Sequence, residues 1–279
     1  MTDMLVSTET LADKLGQEPV VVLNAIMTMP GLTEAKSEQN SAEYLPGAQR
    51  VDLDNEGSLH FNNSVHQRLD DNTLSILLGK LGLTEHSDIV VYDNFGVFCA
   101  PRLWWMLKAV GHKKVQVLNG GLPEWRANSG ITNREQPTAP SKQLYNVVSQ
   151  NGWFVDTPEV VKALHTDIQI IDARSPARFA GSEPEPRKGV RSGHIPGSVN
   201  IHYQTLLRDN KFKSVDELNA IFGSQNIDLK KPVICSCGSG ITACIIGMAA
   251  LLCNASHVSV YDGSWTEWGS DKTLPIQMG

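Results

Sequence analysis

The chain has 279 residues, of which 41% are hydrophobic and 19% charged, enough apolar content for one or two well-filled cores. Twenty-four Lys and Arg against thirty Asp and Glu leave a net charge of −6, which argues against nucleic acid or a membrane surface as partner. The longest apolar run, Ile241 to Cys253, is interrupted by Thr242 and Gly247 and falls short of the roughly 18 residues a membrane span needs. Asp3 and Glu9 near the start, with no basic stretch ahead of an apolar core, give no secretory signal. A cytoplasmic protein is expected.

The elements, taken along the chain, come round twice. Val6 to Leu15 lines up with Val155 to Leu164, and each is followed by a β-rich run, Pro19 to Ala25 and Ile168 to Arg174. Glu43-Tyr-Leu-Pro-Gly47 then matches Gly193-His-Ile-Pro-Gly197. The apolar segments Asp88 to Tyr92 and Lys231 to Cys235 read as buried strands, each leading into a helix, Ala100 to Val110 and Ile241 to Cys253. Val115 to Trp125 matches Val258 to Trp268. Strands alternating with helices imply a parallel sheet covered on both faces, so the expectation is an α/β chain of two tandem domains. The polar, Pro-bearing stretch Thr138 to Gln143 suits the join: a first domain over residues 1–138, a linker over 139–153 and a second domain over 154–279.

Five cysteines, Cys99, Cys235, Cys237, Cys244 and Cys253, form an odd set crowded late in the chain, unlike the even framework of a secreted disulfide scaffold. Cys235-Ser-Cys237 could be half a metal site, but no CxxC or HxxxH accompanies it, and no metal is expected. The sharper signal is Cys237-Gly-Ser-Gly-Ile-Thr242, lying between a strand and a helix. Two glycines let the backbone curl so that the N–H groups of Gly238, Ser239, Gly240, Ile241 and Thr242 can face the sulfur. The helix N-terminus adds positive potential, and both effects favour a thiolate or a persulfide. The plain alternative is a buried strand-end thiol beside an ordinary turn. A cysteine phosphatase would need an Arg at the sixth position after the cysteine, where Ala243 stands.

The duplicated pattern, Asp172-Ala-Arg174, the Gly193 to Gly197 block, the cysteine loop and the Asp262 to Trp268 ending together resemble the rhodanese-type sulfurtransferases. The loop itself is similar to that of the 3-mercaptopyruvate-using members, whereas thiosulfate-using members carry basic residues directly after the cysteine. The resemblance implies two rhodanese-like domains, the first lacking the cysteine, near Asp93-Asn94, and the second catalytic through Cys237. It implies sulfur transfer from 3-mercaptopyruvate through a Cys237 persulfide to cyanide, a small thiol or a thioredoxin-like dithiol. Pyruvate leaves, and no metal or organic cofactor takes part. Arg178 and Arg187 match the family's substrate-binding arginines. Ser239, Asp54 and His66 match its proposed proton relay, although His66 sits one residue further along than the family spacing, and His60 is an alternative. Without that role His66 reads as a surface histidine. A monomer with small-molecule partners is implied.

The remaining conspicuous residues have structural readings. Trp104, Trp105, Trp125 and Trp268 fit core packing, His194 fits a backbone-bonded turn, and Cys244 and Cys253 fit small buried hydrophobes. Cys235, two residues before Cys237, would share its face if the strand ran on, and would then be placed as a resolving thiol. Thiosulfate as main donor, or a persulfide carrier loaded by another protein, are the competing readings.

Overall fold

The computed structural model describes residues 4–17, 19–29, 43–61, 64–128, 131–133 and 140–279. They form two compact units. The first takes residues 1–58, 68–150 and 209–212; the second takes 59–67, 151–208 and 213–279. Thus a short segment from each half of the chain belongs to the unit built mainly from the other half.

In the first unit, five parallel strands lie in the order Leu5–Val6, Val115–Leu118, Asp88–Asp93, Val20–Ile26 and Gln49–Asp52. The second unit gives Phe154–Val155, Val258–Tyr261, Val233–Ser236, Gln169–Asp172 and Val199–Asn200, again all parallel. The two orders are the same, element for element. The α/β expectation of two parallel sheets flanked by helices holds, because the central strands are apolar runs with no alternation. Ile89 to Tyr92 and Val233 to Cys235 are buried without exception, as strands covered on both faces must be.

Each sheet packs its own apolar cluster. Leu11, Val22, Leu45, Val90, Leu122 and Trp125 build one; Val160, Ile170, Ile234, Tyr261, Trp265 and Trp268 build the other. The tryptophans are core residues whose indole N–H groups reach carbonyls: Trp125 to Ile131 at 2.6 Å, Trp268 to Pro275 at 2.8 Å. His194, also buried, bonds Phe179 O at 2.8 Å through Nδ1 and stacks on the Phe179 ring.

Two boundaries differ from those read in the sequence. The strand before the cysteine stops at Ser236, and the following helix runs Ala243–Leu252, beginning two residues later than expected. Cys237 to Thr242 is therefore all loop, because Gly240 takes a left-handed φ of 77° that breaks the helical approach. The strand alternation that would place Cys235 beside Cys237 ends before it reaches Cys237. Cys235 lies fully buried, and burial pushes its thiol well above the ordinary range, which makes it a poor resolving nucleophile. Among the described residues no helix is long and apolar enough to cross a membrane.

Candidate active site

Cys237 leaves the central strand of the second unit and is 2% exposed. Its own N–H donates to Ser264 Oγ at 3.1 Å, and its carbonyl accepts from Trp265 N at 2.9 Å. The next carbonyl, Gly238 O, accepts from Thr266 N at 2.9 Å and from Thr266 Oγ1 at 2.5 Å. The start of the last helix, Ser264–Ser270, thus clamps the carbonyls of the loop on one side. The N–H groups of Gly238, Ser239, Ile241, Thr242 and Ala243 have no acceptor among the described residues. Loop amides with their carbonyls tied back form a cradle for negative charge.

The first unit shows what such a loop does when filled. Strand register pairs Asn24 with Tyr92 in one sheet and Asp172 with Ser236 in the other, so Asp93 is the counterpart of Cys237. Asp93 Oδ2 accepts from the N–H groups of Phe98, Cys99 and Ala100 at 2.7, 2.9 and 2.9 Å, and Oδ1 from Phe95 at 2.9 Å. Burial pushes the Asp93 carboxyl up, and these four N–H bonds oppose that push. The loop that is open around a sulfur in the second unit is closed on a carboxyl group in the first.

Arg178 stands at the cysteine loop, and Arg187 reaches Thr266, whose hydroxyl holds that loop. A methyl group on Gly238 would lie 3.2 Å from Arg178 Nη2, which makes room at this position a requirement of the arginine. Arg178 is held from behind by Glu185, through Nε at 3.2 Å and Nη2 at 2.5 Å, leaving Nη1 without a partner among the described residues. Glu185 in turn pairs with Arg174 at 2.8 Å, and Arg174 is bonded to Asp172 at the strand end and lies over the Trp265 ring. The Asp172-Ala-Arg174 motif therefore orients Arg178 at one remove. Arg187 Nη1 donates to Thr266 Oγ1 at 3.2 Å, the same hydroxyl that donates to Gly238 O. One guanidinium lies beside Gly238 and the other beside Thr266, at a loop that has no Lys or Arg of its own.

Ser239 and His66 meet. His66 Nδ1 lies 3.0 Å from Ser239 Oγ, although 173 positions separate them. The sequence reading of His66 as a surface residue is corrected: it is 7% exposed, because the hairpin Leu59–Phe61 with Ser64–Gln67 packs in the second unit. His60, the alternative, is exposed and sets its ring edge-on to His66 at 5.2 Å. Asp54 lies in the first unit, where its carboxylate accepts from Thr28 N at 2.7 Å. Ser264, Thr266 and Glu185 escaped the sequence analysis, since a small hydroxyl or a loop carboxylate gives no signal until its partner is in place. Among the described residues no group of three or more His, Cys, Asp or Glu side chains could hold a metal ion.

Residues 9–128 and 157–271 each match the rhodanese-like domain family. The chain belongs to the rhodanese-type sulfurtransferases. Its sequence is 34% identical over 278 residues to 3-mercaptopyruvate sulfurtransferase of Escherichia coli, covering 99% of this chain and 98% of the relative. It is 35% identical over 275 residues to a thiosulfate sulfurtransferase of Rattus norvegicus, covering 95% and 91%. The crystal structure of the 3-mercaptopyruvate sulfotransferase SseA from Escherichia coli superimposes with a TM-score of 0.84 at 32% identity, covering 95% of this chain and 99% of that one. Rhodanese-type sulfurtransferases move sulfur.

Proposed function

We propose that this sulfurtransferase takes sulfur from 3-mercaptopyruvate, holds it as a Cys237 persulfide and passes it to a thiophilic acceptor. The observation that carries the donor assignment is Arg178 beside Gly238, with Arg187 on the Thr266 hydroxyl that holds Gly238 O, at a loop without basic residues. A guanidinium fork suits the carboxylate and keto oxygen of an α-keto acid, held beside the sulfur under attack.

The reaction then follows from charge. Cys237 thiolate attacks the donor sulfur; the new S–S bond forms as the C–S bond breaks, and its electron pair leaves as the enolate of pyruvate. The enolate takes one proton from Ser239 Oγ, which His66 Nδ1 restores, and the proton that the donor thiol gives up in forming the persulfide anion returns to His66, so none is gained or lost. The cradle N–H groups hold the persulfide anion, as their first-unit counterparts hold Asp93. Cyanide, a small thiol or a thioredoxin-like dithiol attacks the outer sulfur and returns the thiolate. In this reading the protein is a cytoplasmic monomer working without metal or organic cofactor.

Thiosulfate is the second reading, favoured by the equal similarity to the rat thiosulfate sulfurtransferase. The deciding experiment gives the protein matched concentrations of the two donors, with cyanide as acceptor, and follows thiocyanate and pyruvate together. Preference for mercaptopyruvate with one pyruvate per thiocyanate supports the assignment. Preference for thiosulfate overturns the donor while leaving Cys237 in its role. Turnover of neither by a protein with a reactive thiol would favour a carrier loaded by another protein.

A further inference from the structure

Glu124 and Glu267 occupy equivalent places in the repeat, directly before the buried Trp125 and Trp268. Each also holds a segment that arrives from the other half of the chain. In the first unit, Glu124 Oε1 accepts from Lys211 Nζ at 2.8 Å, and Phe212 N–H beside it reaches Asn119 Oδ1 at 3.0 Å. In the second unit, Glu267 Oε2 accepts from Gln67 Nε2 at 3.1 Å and from Ser64 Oγ at 3.5 Å. The captured segments cover corresponding loops. Asn210 lies against Gly96 in the first, and His66 meets Ser239 in the second.

Glu267 is itself pinned. Its Oε1 accepts from Thr157 Oγ1, and that hydroxyl lies 2.6 Å from Tyr261 Oη. The helix that carries Glu267 also clamps the carbonyls of Cys237 and Gly238 through Trp265 and Thr266. One short helix therefore fixes the catalytic loop and the histidine-bearing hairpin in a common frame. The hairpin needs such a hold: it is two short strands with an irregular register, and His66 sits at a left-handed φ of 60° that a β-carbon makes unfavourable.

We infer that Glu267 is a positioning residue for sulfur transfer, holding the 59–67 hairpin through Gln67 and Ser64 so that His66 stays on Ser239. This rests on the His66–Ser239 relay proposed above, and the test separates the two. Pyruvate release in the donor half-reaction is measured for Glu267→Ala, His66→Ala and the double variant, with thermal unfolding recorded for each. Glu267→Ala is expected to lower kcat by about tenfold to a hundredfold with the donor KM unchanged, as small losses of alignment do. Adding it to His66→Ala is expected to cost nothing more, because both act through one contact. Glu267→Gln, which keeps an oxygen for Gln67, is expected to recover most of the loss.

A normal rate in His66→Ala would overturn the relay. A slow His66→Ala with a normal or fully additive Glu267→Ala would overturn the role of Glu267 and leave the relay standing. Should Glu267→Ala fail to fold, Gln67→Ala cuts the same tie from the hairpin side and is held to the same outcomes.

Discussion

Asp93 and Cys237 stand at the same point of two equivalent sheets, one a carboxyl group and the other a thiol. Around Asp93 the loop amides converge within 2.7–2.9 Å of two oxygens. Around Cys237 the corresponding amides have no acceptor among the described residues. The duplicated chain has a carboxyl group at this point in one unit and a thiol in the other. The first unit shows that a loop at this place in the repeat can close its amides on an acidic group.

Replacing the nucleophile is the plainest test. Cys237→Ser is expected to abolish pyruvate release and to take up no sulfur on incubation with donor, as judged by intact mass. Its thermal unfolding should stay near that of the parent, since the substitution removes no packing volume of consequence. Undiminished turnover in this variant would end the persulfide mechanism.

Gly238→Ala tests whether the arginine needs the space beside the loop. The added methyl would sit 3.2 Å from Arg178 Nη2, so either the guanidinium or the loop must move by a few tenths of an ångström. Crowding worth about 1.4 kcal/mol in the transition state corresponds to a tenfold fall in kcat/KM. Steady-state kinetics with mercaptopyruvate should show that fall mainly as a raised KM. An unchanged KM would place the carboxylate of the donor elsewhere.

Arg187→Ala complements it from Thr266, the residue that holds Gly238 O. Loss of the guanidinium is expected to raise the donor KM and lower kcat/KM, while cyanide discharge of a preformed persulfide keeps its rate. The Thr266 hydroxyl retains its bond to Gly238 O, so the loop should hold its shape. Equal slowing of both half-reactions would reassign Arg187 to the structure of the loop.

Asp93→Asn probes the filled cradle. Only one oxygen then remains for four converging N–H groups, and the amide nitrogen faces a donor. Leaving buried donors unpaired should cost about 2 kcal/mol or more, read as an earlier midpoint in urea with an unchanged slope. A midpoint equal to that of the parent would mean that the cradle yields easily, and would weaken its use as a guide to Cys237.

His112 makes stability depend on pH. It is buried, with Nδ1 on Tyr145 Oη at 2.8 Å and Nε2 on Ser87 O at 3.0 Å, and burial holds its pKa below the ordinary 6.5. The unfolded chain therefore binds the proton more readily than the folded one. Stability is complete above about pH 6.5 and is lost as the pH falls through and below that value. Burial lowers the pKa of His202 as well, with the same sign. Thermal unfolding between about pH 5 and 8 should fall on the acid side, and His112→Gln should flatten that slope without removing it. An unaltered slope would assign the dependence to other groups.

Much of this molecule was written locally. Repeated apolar strands and helices announced two parallel α/β units, because a strand buried on both faces must be apolar throughout. Cys237 with its glycines announced a reactive loop, because turn geometry depends on adjacent residues. Arg178 and Arg187 were named through family resemblance; Arg178 stands at Gly238 and Arg187 at Thr266. His66 was legible only through the family resemblance, one residue off its spacing and with His60 as an alternative. Its neighbour Gln67 is held in the second unit by Glu267, two hundred positions away. The sequence by itself determined the fold of each repeat and singled out the Cys237 loop, since both rest on short-range pattern. Tertiary structure alone decided which histidine meets Ser239, because a hydrogen bond across 173 positions depends on where separate segments pack and leaves no trace in spacing.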